Sequence, residues 1–357
     1  MLLSPKTKFQ ELKKNLKIKN MNLSKPITLL LLLTMLFSSS VIWAQNPPFE
    51  SMKNFIQPAK KNGGFKMDEY FLWCPSVIKV GDTYHLFASA WPVQYGIAGW
   101  TGHSKCIRAT SKDLLGPYTF QEVVMEKREG QWDGERVHNV KILKSGDKFI
   151  LYYISTANEI GYAEATSITG PWTRSEKMMS FSNPAPLIHP DGSVYVFGRL
   201  SVKIDGKDVR TARAATAPGY RGPYTAVAPE LVNLFPNNYE IEDPTIWWAN
   251  NQYNVICTDF AGKATGKNKV CVQYYSKDGI NYQLLTKEPV SDKTIVYDDG
   301  TSETFNRVER PFVYVDENGL VQAYFLACKT NDDKGVIVAH PVAGYYPGKS
   351  VSKGEKK

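Results

Sequence analysis

Short apolar runs broken by turn residues recur along most of the chain. Five of them share one order: a polar or Pro-containing start, an apolar strand, a tight turn, then an aromatic-rich strand. The runs are Cys74-Pro75-Ser76-Val77-Ile78 leading through Gly81-Asp82 to Tyr84-His85-Leu86-Phe87, and Asn139-Val140-Lys141-Ile142-Leu143 leading through Gly146-Asp147 to Phe149-Ile150-Leu151-Tyr152. The third is Asn183-Pro184-Ala185-Pro186-Leu187-Ile188 leading through Asp191-Gly192 to Val194-Tyr195-Val196-Phe197. Asp243-Pro244-Thr245-Ile246-Trp247-Trp248 with Tyr253-Asn254-Val255-Ile256 is the fourth, and Arg310-Pro311-Phe312-Val313-Tyr314-Val315 with Val321-Gln322-Ala323-Tyr324-Phe325 the fifth. Gly-Asp, Asp-Gly and Asn-Gly turns between such runs are hairpin signals.

After three hairpins comes a strand-like stretch and then Gly116-Pro117-Tyr118, Gly170-Pro171-Trp172 or Gly222-Pro223-Tyr224, with Ser276-Lys277-Asp278-Gly279 and Tyr282 as a degenerate fourth copy. Two hairpin strands plus two more make a four-stranded blade. The repeat starts lie roughly 45–65 residues apart, a spacing that suits blades with insertions. The pattern therefore predicts an all-β, five-bladed β-propeller over residues 45–347. An irregular all-β sandwich is the competing reading. No long amphipathic helix and no linker follow the leader.

The leader itself reads as a secretion signal. Lys25 precedes the apolar run Ile27 to Phe37, then come Ser38-Ser39-Ser40 and Val41-Ile42-Trp43-Ala44, with cleavage expected after Ala44. The run is short for a membrane span, and an uncleaved anchor is the alternative. Met21 is an alternative start, because the residues before it make a long basic extension. Residues 1–44 carry seven Lys and one Glu, which accounts for +6 of the formal +8; the rest of the chain is close to neutral, and a nucleic-acid partner loses its support. A secreted or periplasmic location follows, with no membrane partner after cleavage and the oligomeric state left open. The basic tail, residues 348–357, is expected to be disordered. The 43% hydrophobic content suffices for a large core. The five Cys (74, 106, 257, 271 and 328) lack metal spacing; an oxidising compartment permits one or two disulfides, but buried small hydrophobes are the simpler expectation.

The blade pattern resembles the five-bladed propeller glycosidases grouped around glycoside hydrolase families 43, 32, 62 and 117. The resemblance covers about residues 65–345 and rests on Pro75–Phe87, Trp132-Asp133-Gly134 with His138-Asn139, Ile160-Gly161-Tyr162-Ala163 with Gly170-Pro171-Trp172, Glu242-Asp243-Pro244 and Glu309-Arg310-Pro311. It implies a carbohydrate substrate, no required cofactor, and room for a structural calcium at the propeller centre. The sequence departs from the family 43 pattern where that family has an Asp base, at Cys74, and where it has an Asp modulator, at Asn139. Family 117 implies that a His can replace a carboxylic acid in such a propeller, which draws attention to His138.

In a propeller the first strand of each blade lines the central channel. The strand starts Trp73-Cys74, His138-Asn139, Ser182-Asn183, Glu242-Asp243 and Glu309-Arg310 should therefore converge. Glycoside hydrolysis needs one acid for the leaving oxygen and a base or nucleophile on the opposite face. Adjacent strand residues point to opposite faces, so one of Glu242 and Asp243 should reach the channel. The motif match favours Glu242 as acid, with Asp243 as rival acid or strand cap. Glu309 is the candidate base, and Arg310 a ligand for sugar hydroxyls, carboxylate or sulfate, against a structural salt bridge. Asp68 or its neighbour Glu69 could supply the carboxylate missing at Cys74, or be a solvated loop acid. Asp133 is read as a substrate contact or a turn residue. His138 is read as an acid, a sugar contact, an ion ligand or a core His. Asn139 and Asn183 complete the expected substrate contacts. Trp73 and Trp132, with Trp91 and Trp100, are stacking platforms or core. The sequence contains no phosphate-cradling loop, zinc spacing or nucleophile elbow. The leading expectation is an exo-acting glycosidase on plant or algal oligosaccharides. A non-catalytic sugar-binding propeller and a glycoside phosphorylase are the alternatives.

Overall fold

Each predicted hairpin forms, and each gains its partners in the predicted order. A computed structural model describes residues 49–347 apart from residues 157 and 236–239; the leader, its cleavage point and the basic tail lie outside the described residues. Blade I consists of β1 (Tyr70–Val80), β2 (Thr83–Pro92), β3 (Lys105–Ser111) and β4 (Thr119–Met125). Blade II holds β5 (His138–Ser145), β6 (Lys148–Ile154), β7 (Ile160–Ala165) and β8 (Thr173–Arg174). Blade III holds β9 (Ser182–Ile188), β10 (Val194–Ile204), β11 (Lys207–Ala217) and β12 (Thr225–Ala226). In blade IV are β13 (Ile241–Ala249), β14 (Gln252–Asp259), β15 (Val270–Ser276) and β16 (Gln283–Leu284). A small hairpin, β17 (Thr294–Val296) with β18 (Ser302–Thr304), precedes blade V: β19 (Arg307–Val315), β20 (Val321–Lys329) and β21 (Gly335–Tyr345).

Every blade is an antiparallel meander, and the inner strands β1, β5, β9, β13 and β19 pack side by side in a closed circle. Between neighbouring blades sits one apolar layer. Phe87 and Cys106 of blade I meet Val140 and Leu151 of blade II. Ile150 and Tyr152 then meet Val194 and Val196, Ala185 and Phe197 meet Val255 and Val272, and Ile256 and Cys271 meet Val308 and Leu326. Leu72 and Leu86 complete the circle against Ala323 and Phe325. All five Cys are buried and unpaired, as small hydrophobes would be. The Gly-Pro steps at 116–117, 170–171 and 222–223 are cis and lead into the short outer strands of blades I–III. Tyr118 and Tyr224 each donate to the carbonyl four residues back. Among the described residues no helix is long and apolar enough to cross a membrane.

Blade V lacks a fourth strand of its own among the described residues. The segment before blade I supplies its outer edge. Phe65 exchanges backbone hydrogen bonds with Ile337 (2.9 Å each), and Gln57 donates to the Pro341 carbonyl (2.9 Å). Ala59 bridges on to β17, taking 2.8 Å and 2.9 Å bonds with Val296 and Asp298. Gly64 has φ +65°, and a Cβ there would strike the Ile337 carbonyl oxygen. Gly64→Ala should therefore lower unfolding free energy by about 2 kcal/mol, through positive φ and backbone collision together. Urea titration of the variant checks this; an unchanged midpoint would show that the seam tolerates a side chain.

Candidate active site

The inner strands share a feature that no single repeat shows. Each contains one non-Gly residue with φ between 53° and 57°: Cys74, Asn139, Asn183, Asp243 and Arg310. At each of these positions the pairing with the second strand of the blade slips out of register. In four blades the next residue is Pro (75, 184, 244, 311), which has no N–H to give the ladder. The left-handed conformation costs roughly 1–3 kcal/mol for a residue with a side chain and persists only where its surroundings impose it. Asn and Asp tolerate it best, and three of the five are Asn or Asp.

The bulge turns these five side chains across the channel, where they hydrogen-bond to one another. Cys74 Sγ donates to Asn139 Oδ1 (2.9 Å), Asn139 Nδ2 to Asn183 Oδ1 (2.6 Å), and Asn183 Nδ2 to Asp243 Oδ1 (2.7 Å). Arg310 Nη1 then pairs with Asp243 Oδ1 and also donates to Asn139 Oδ1 (2.5 Å). All of these groups are buried or nearly so. Burial pushes the Asp243 carboxyl above the usual carboxylate range, with Arg310 as the opposing influence. Beneath the layer, the buried Lys141 ammonium lies 5.4 Å from the centre of the Phe312 ring; burial lowers it to about 8.

This layer is the expected position of a central calcium, and its residues do not fit one. A guanidinium and an ammonium flank the single carboxylate, whereas calcium takes six to eight oxygen ligands. Among the described residues no group of three or more His, Cys, Asp or Glu could hold a metal.

The residue before each bulge faces a pocket of about 160 Å³ at one end of the channel. Trp73, His138, Ser182, Glu242 and Glu309 stand around its wall, while Asn139, Asn183 and Arg310 form its floor. Glu242 and Glu309 are 8% and 2% exposed, so both carboxyl groups have been withdrawn from solvent. Arg210 Nε donates to Glu242 Oε1 (2.7 Å), and Arg199 Nη2 lies 3.6 Å from the same oxygen. Glu309 Oε1 lies 3.4 Å from Lys269 Nζ and 3.7 Å from Arg307 Nη1. Arg210 is itself fixed by Glu240, and it covers Phe260 on the pocket wall at 4.2 Å. Asp259 shapes the loop that carries Phe260 towards Lys269: its carboxylate accepts from the backbone N–H groups of Lys263, Ala264 and Thr265 (2.8–3.0 Å).

His138 lines the pocket but is held like a core residue. Ser104 Oγ donates to the Val137 carbonyl and lies 2.9 Å from His138 Nδ1, so Nδ1 carries the hydrogen and donates to Ser104. Trp100 lies face-on to the imidazole at 5.4 Å. Burial, with Arg310 and Arg136 nearby, holds the imidazole well below its usual range and neutral. Trp100 reaches the pocket wall; Trp91 is fully buried and stacks on Phe71 (4.8 Å).

Three residues expected at the site lie elsewhere. Asp68 is exposed in the loop before β1 and is not on the pocket wall. Trp132 donates its Nε1 to the Ser175 carbonyl (2.8 Å) and stacks on Tyr153. Asp133 is fully buried and accepts from Arg128, Arg174 and Tyr153, all at 2.9 Å. Asp243 sits in the channel layer rather than on the pocket wall, which leaves Glu242 as the acid of that pair facing the pocket. The sequence reading missed Arg199, Arg210, Lys269 and Arg307. An Arg inside the apolar run Val194–Leu200 is a readable signal, since strands rarely bury a charge without using it. A larger cavity, about 1230 Å³, opens at the other end of the channel around Lys141, Phe312 and Tyr314, away from Glu242 and Glu309.

No protein-family model and no curated protein sequence matches the chain. Solved structures do. It is similar to a family 117 glycoside hydrolase of the marine bacterium Zobellia galactanivorans, with 16% identity and a TM-score of 0.57, over 80% of this chain and 89% of that one. A thermostable family 43 glycoside hydrolase aligns at 14% identity and TM-score 0.55, over 83% and 98%. The Bacillus subtilis arabinanase aligns at 16% and 0.52, over 78% and 96%. The chain thus has the five-bladed fold of these proteins.

The Asp133 cluster gives a stability test. Burial alone would raise its carboxyl, but the hydrogen bonds from Arg128, Arg174 and Tyr153 outweigh burial and hold it below the usual range. Its folded value is depressed, so its stabilisation is present above the unfolded value of about 3.9 and is lost as pH falls through the folded one. Asp133→Asn should cost about 3–5 kcal/mol at neutral pH, because two guanidinium groups lose their partner. That deficit should shrink as the pH is taken below about 4. Denaturant melts of both proteins across pH 3–7 measure it; a pH-independent difference would reject the ionic account.

Proposed function

We propose that the protein is a glycoside hydrolase that removes a terminal sugar, with Glu242 and Glu309 as its acid–base pair. The observation that carries this reading is the meeting of two buried carboxyl groups, from blades IV and V, on one small pocket. The hydrogen-bonded layer forms the pocket's floor, and a small floored pocket supports exo action on an end residue. One structural neighbour is a Phanerochaete chrysosporium exo-β-1,3-galactanase, aligned at 11% identity and TM-score 0.54 over 83% of this chain and 67% of that one.

In this reading Glu242 serves as acid. Arg210 occupies its Oε1, which leaves Oε2 to carry the proton to the glycosidic oxygen. Glu309 acts on the anomeric carbon from the other side, either by taking a proton from attacking water or by direct attack; the separation of the two carboxyl groups sets which. His138 is a wall residue and Trp100 a stacking surface. We assign the substrate to oligosaccharides from plant or algal polysaccharide, and the location to the periplasm or exterior on the strength of the leader.

One observation favours a second reading. Cys74 stands where the family 43 pattern has its base, and burial raises its thiol, so blade I contributes no acid. That suits a propeller that binds sugar without cleaving it. Turnover on a panel of aryl glycosides and plant and algal oligosaccharides separates the two. Glu242→Gln and Glu309→Gln should each lower kcat by about 10²–10⁴-fold with unchanged melting temperature. Sugar binding by the parent protein with no turnover on any panel member would establish the binding module instead.

A further inference from the structure

The pocket is richer in cations than an acid–base pair requires. Four guanidinium groups (Arg199, Arg210, Arg307 and Arg310) share its wall and floor with two carboxylates. Two of the four are committed. Arg210 serves Glu240 and Glu242, and Arg310 serves Asp243 and Asn139. Arg199 and Arg307 are engaged only by longer ion pairs, to Glu242 and Glu309. Their nearest carboxylate oxygens lie at 3.6 Å and 3.7 Å, beyond a hydrogen bond, and Arg199 Nε is buried with no partner among the described residues. Among the described residues, the side-chain hydrogen bond of Arg199 runs from Nη1 to Ser201 Oγ (2.7 Å).

A buried guanidinium nitrogen without an acceptor is costly, and Arg199 Nε is one on this pocket; Arg307, 30% exposed, stands beside it as a second cation held by a long ion pair. Neutral hydroxyls could accept from them but would add no charge to the long pairs with Glu242 and Glu309. A planar or tetrahedral oxyanion matches the guanidinium fork and neutralises the charge.

We propose that this pocket selects a sugar bearing its own oxyanion, a uronate carboxylate or a sulfate ester, held by Arg199 and Arg307. The inference deepens the hydrolase reading and rests on it for the site, not for the chemistry. Free inorganic phosphate offers the same chemistry from another source and would make the pocket phosphorolytic. The anion is assigned to the sugar because the two cations flank both carboxylates of the pair, where the terminal ring itself must lie.

The test is calorimetric titration of the full chain with monosaccharides, which are not turned over: glucuronate against glucose, galacturonate against galactose, galactose 6-sulfate against galactose, and inorganic phosphate. At least one anionic sugar should bind ten-fold or more tightly than its neutral parent, and this margin should shrink as salt is raised. Arg199→Met and Arg307→Met, at unchanged melting temperature, should each erase the margin. Neutral sugars binding as tightly as all their anionic counterparts would overturn the proposal, as would a margin that survives both variants. Phosphate binding that exceeds every anionic sugar, with phosphate-dependent cleavage, would overturn it in favour of phosphorolysis. Failure here is separable from failure of the hydrolase reading. Turnover of neutral glycosides without an anionic margin defeats only this inference; an anionic margin without turnover defeats only the hydrolase assignment.

Discussion

The rest of the site depends on a backbone event repeated once per blade: a left-handed residue inside the inner strand. In a regular strand Glu242 and Asp243 would point to opposite faces, and so would Glu309 and Arg310. The bulge replaces that alternation with a division of labour along the axis. The bulged residue turns inward and meets its four counterparts; the residue before it reaches the pocket above. Local strain in each strand is offset by a hydrogen-bonded layer that no blade could build alone. Fold and site are therefore one construction, because the interactions that hold the bulges are also the pocket's floor.

Charge is arranged in the same two tiers. The lower tier joins Asp243 to Arg310 with Asn139 and Asn183 as neutral connectors, each amide nitrogen donating a hydrogen bond within the layer. Arg310 there does what a bound cation would otherwise do, which is to hold the inner ends of the blades together by attraction to a carboxylate. The upper tier sets guanidinium and ammonium groups beside Glu242 and Glu309 on the pocket wall, each engaging one carboxylate oxygen. Phe260, lying under both Arg210 and Lys269, keeps these cations in place through its ring face.

Much of this was legible in the sequence, because hairpins declare themselves through turn residues and alternating strands. The five inner-strand starts were readable for the same reason. What the sequence left unread has three physical causes. A Pro after the key residue marks a break in the ladder but does not say which way the preceding side chain turns. Arg199 and Arg210 reach the pocket only because β10 and β11 pair from Val194 to Ile204, farther than the rest of their blade, an extension visible in pairing and not in composition. Trp132-Asp133-Gly134 reads like a site motif, yet Arg128 and Arg174 turn Asp133 into a structural anchor, and both lie outside the motif itself.

Blade V draws its outer edge from residues that come before blade I. Synthesis therefore delivers the two sides of this seam at opposite times, and β21 emerges with its outer backbone groups unsatisfied until the early segment returns. Two chains that meet in that interval can each offer the other the missing strand. Intramolecular return wins when chains are dilute, whereas crowding during refolding favours exchanged pairs whose blades are all correctly made but whose last one is shared between molecules.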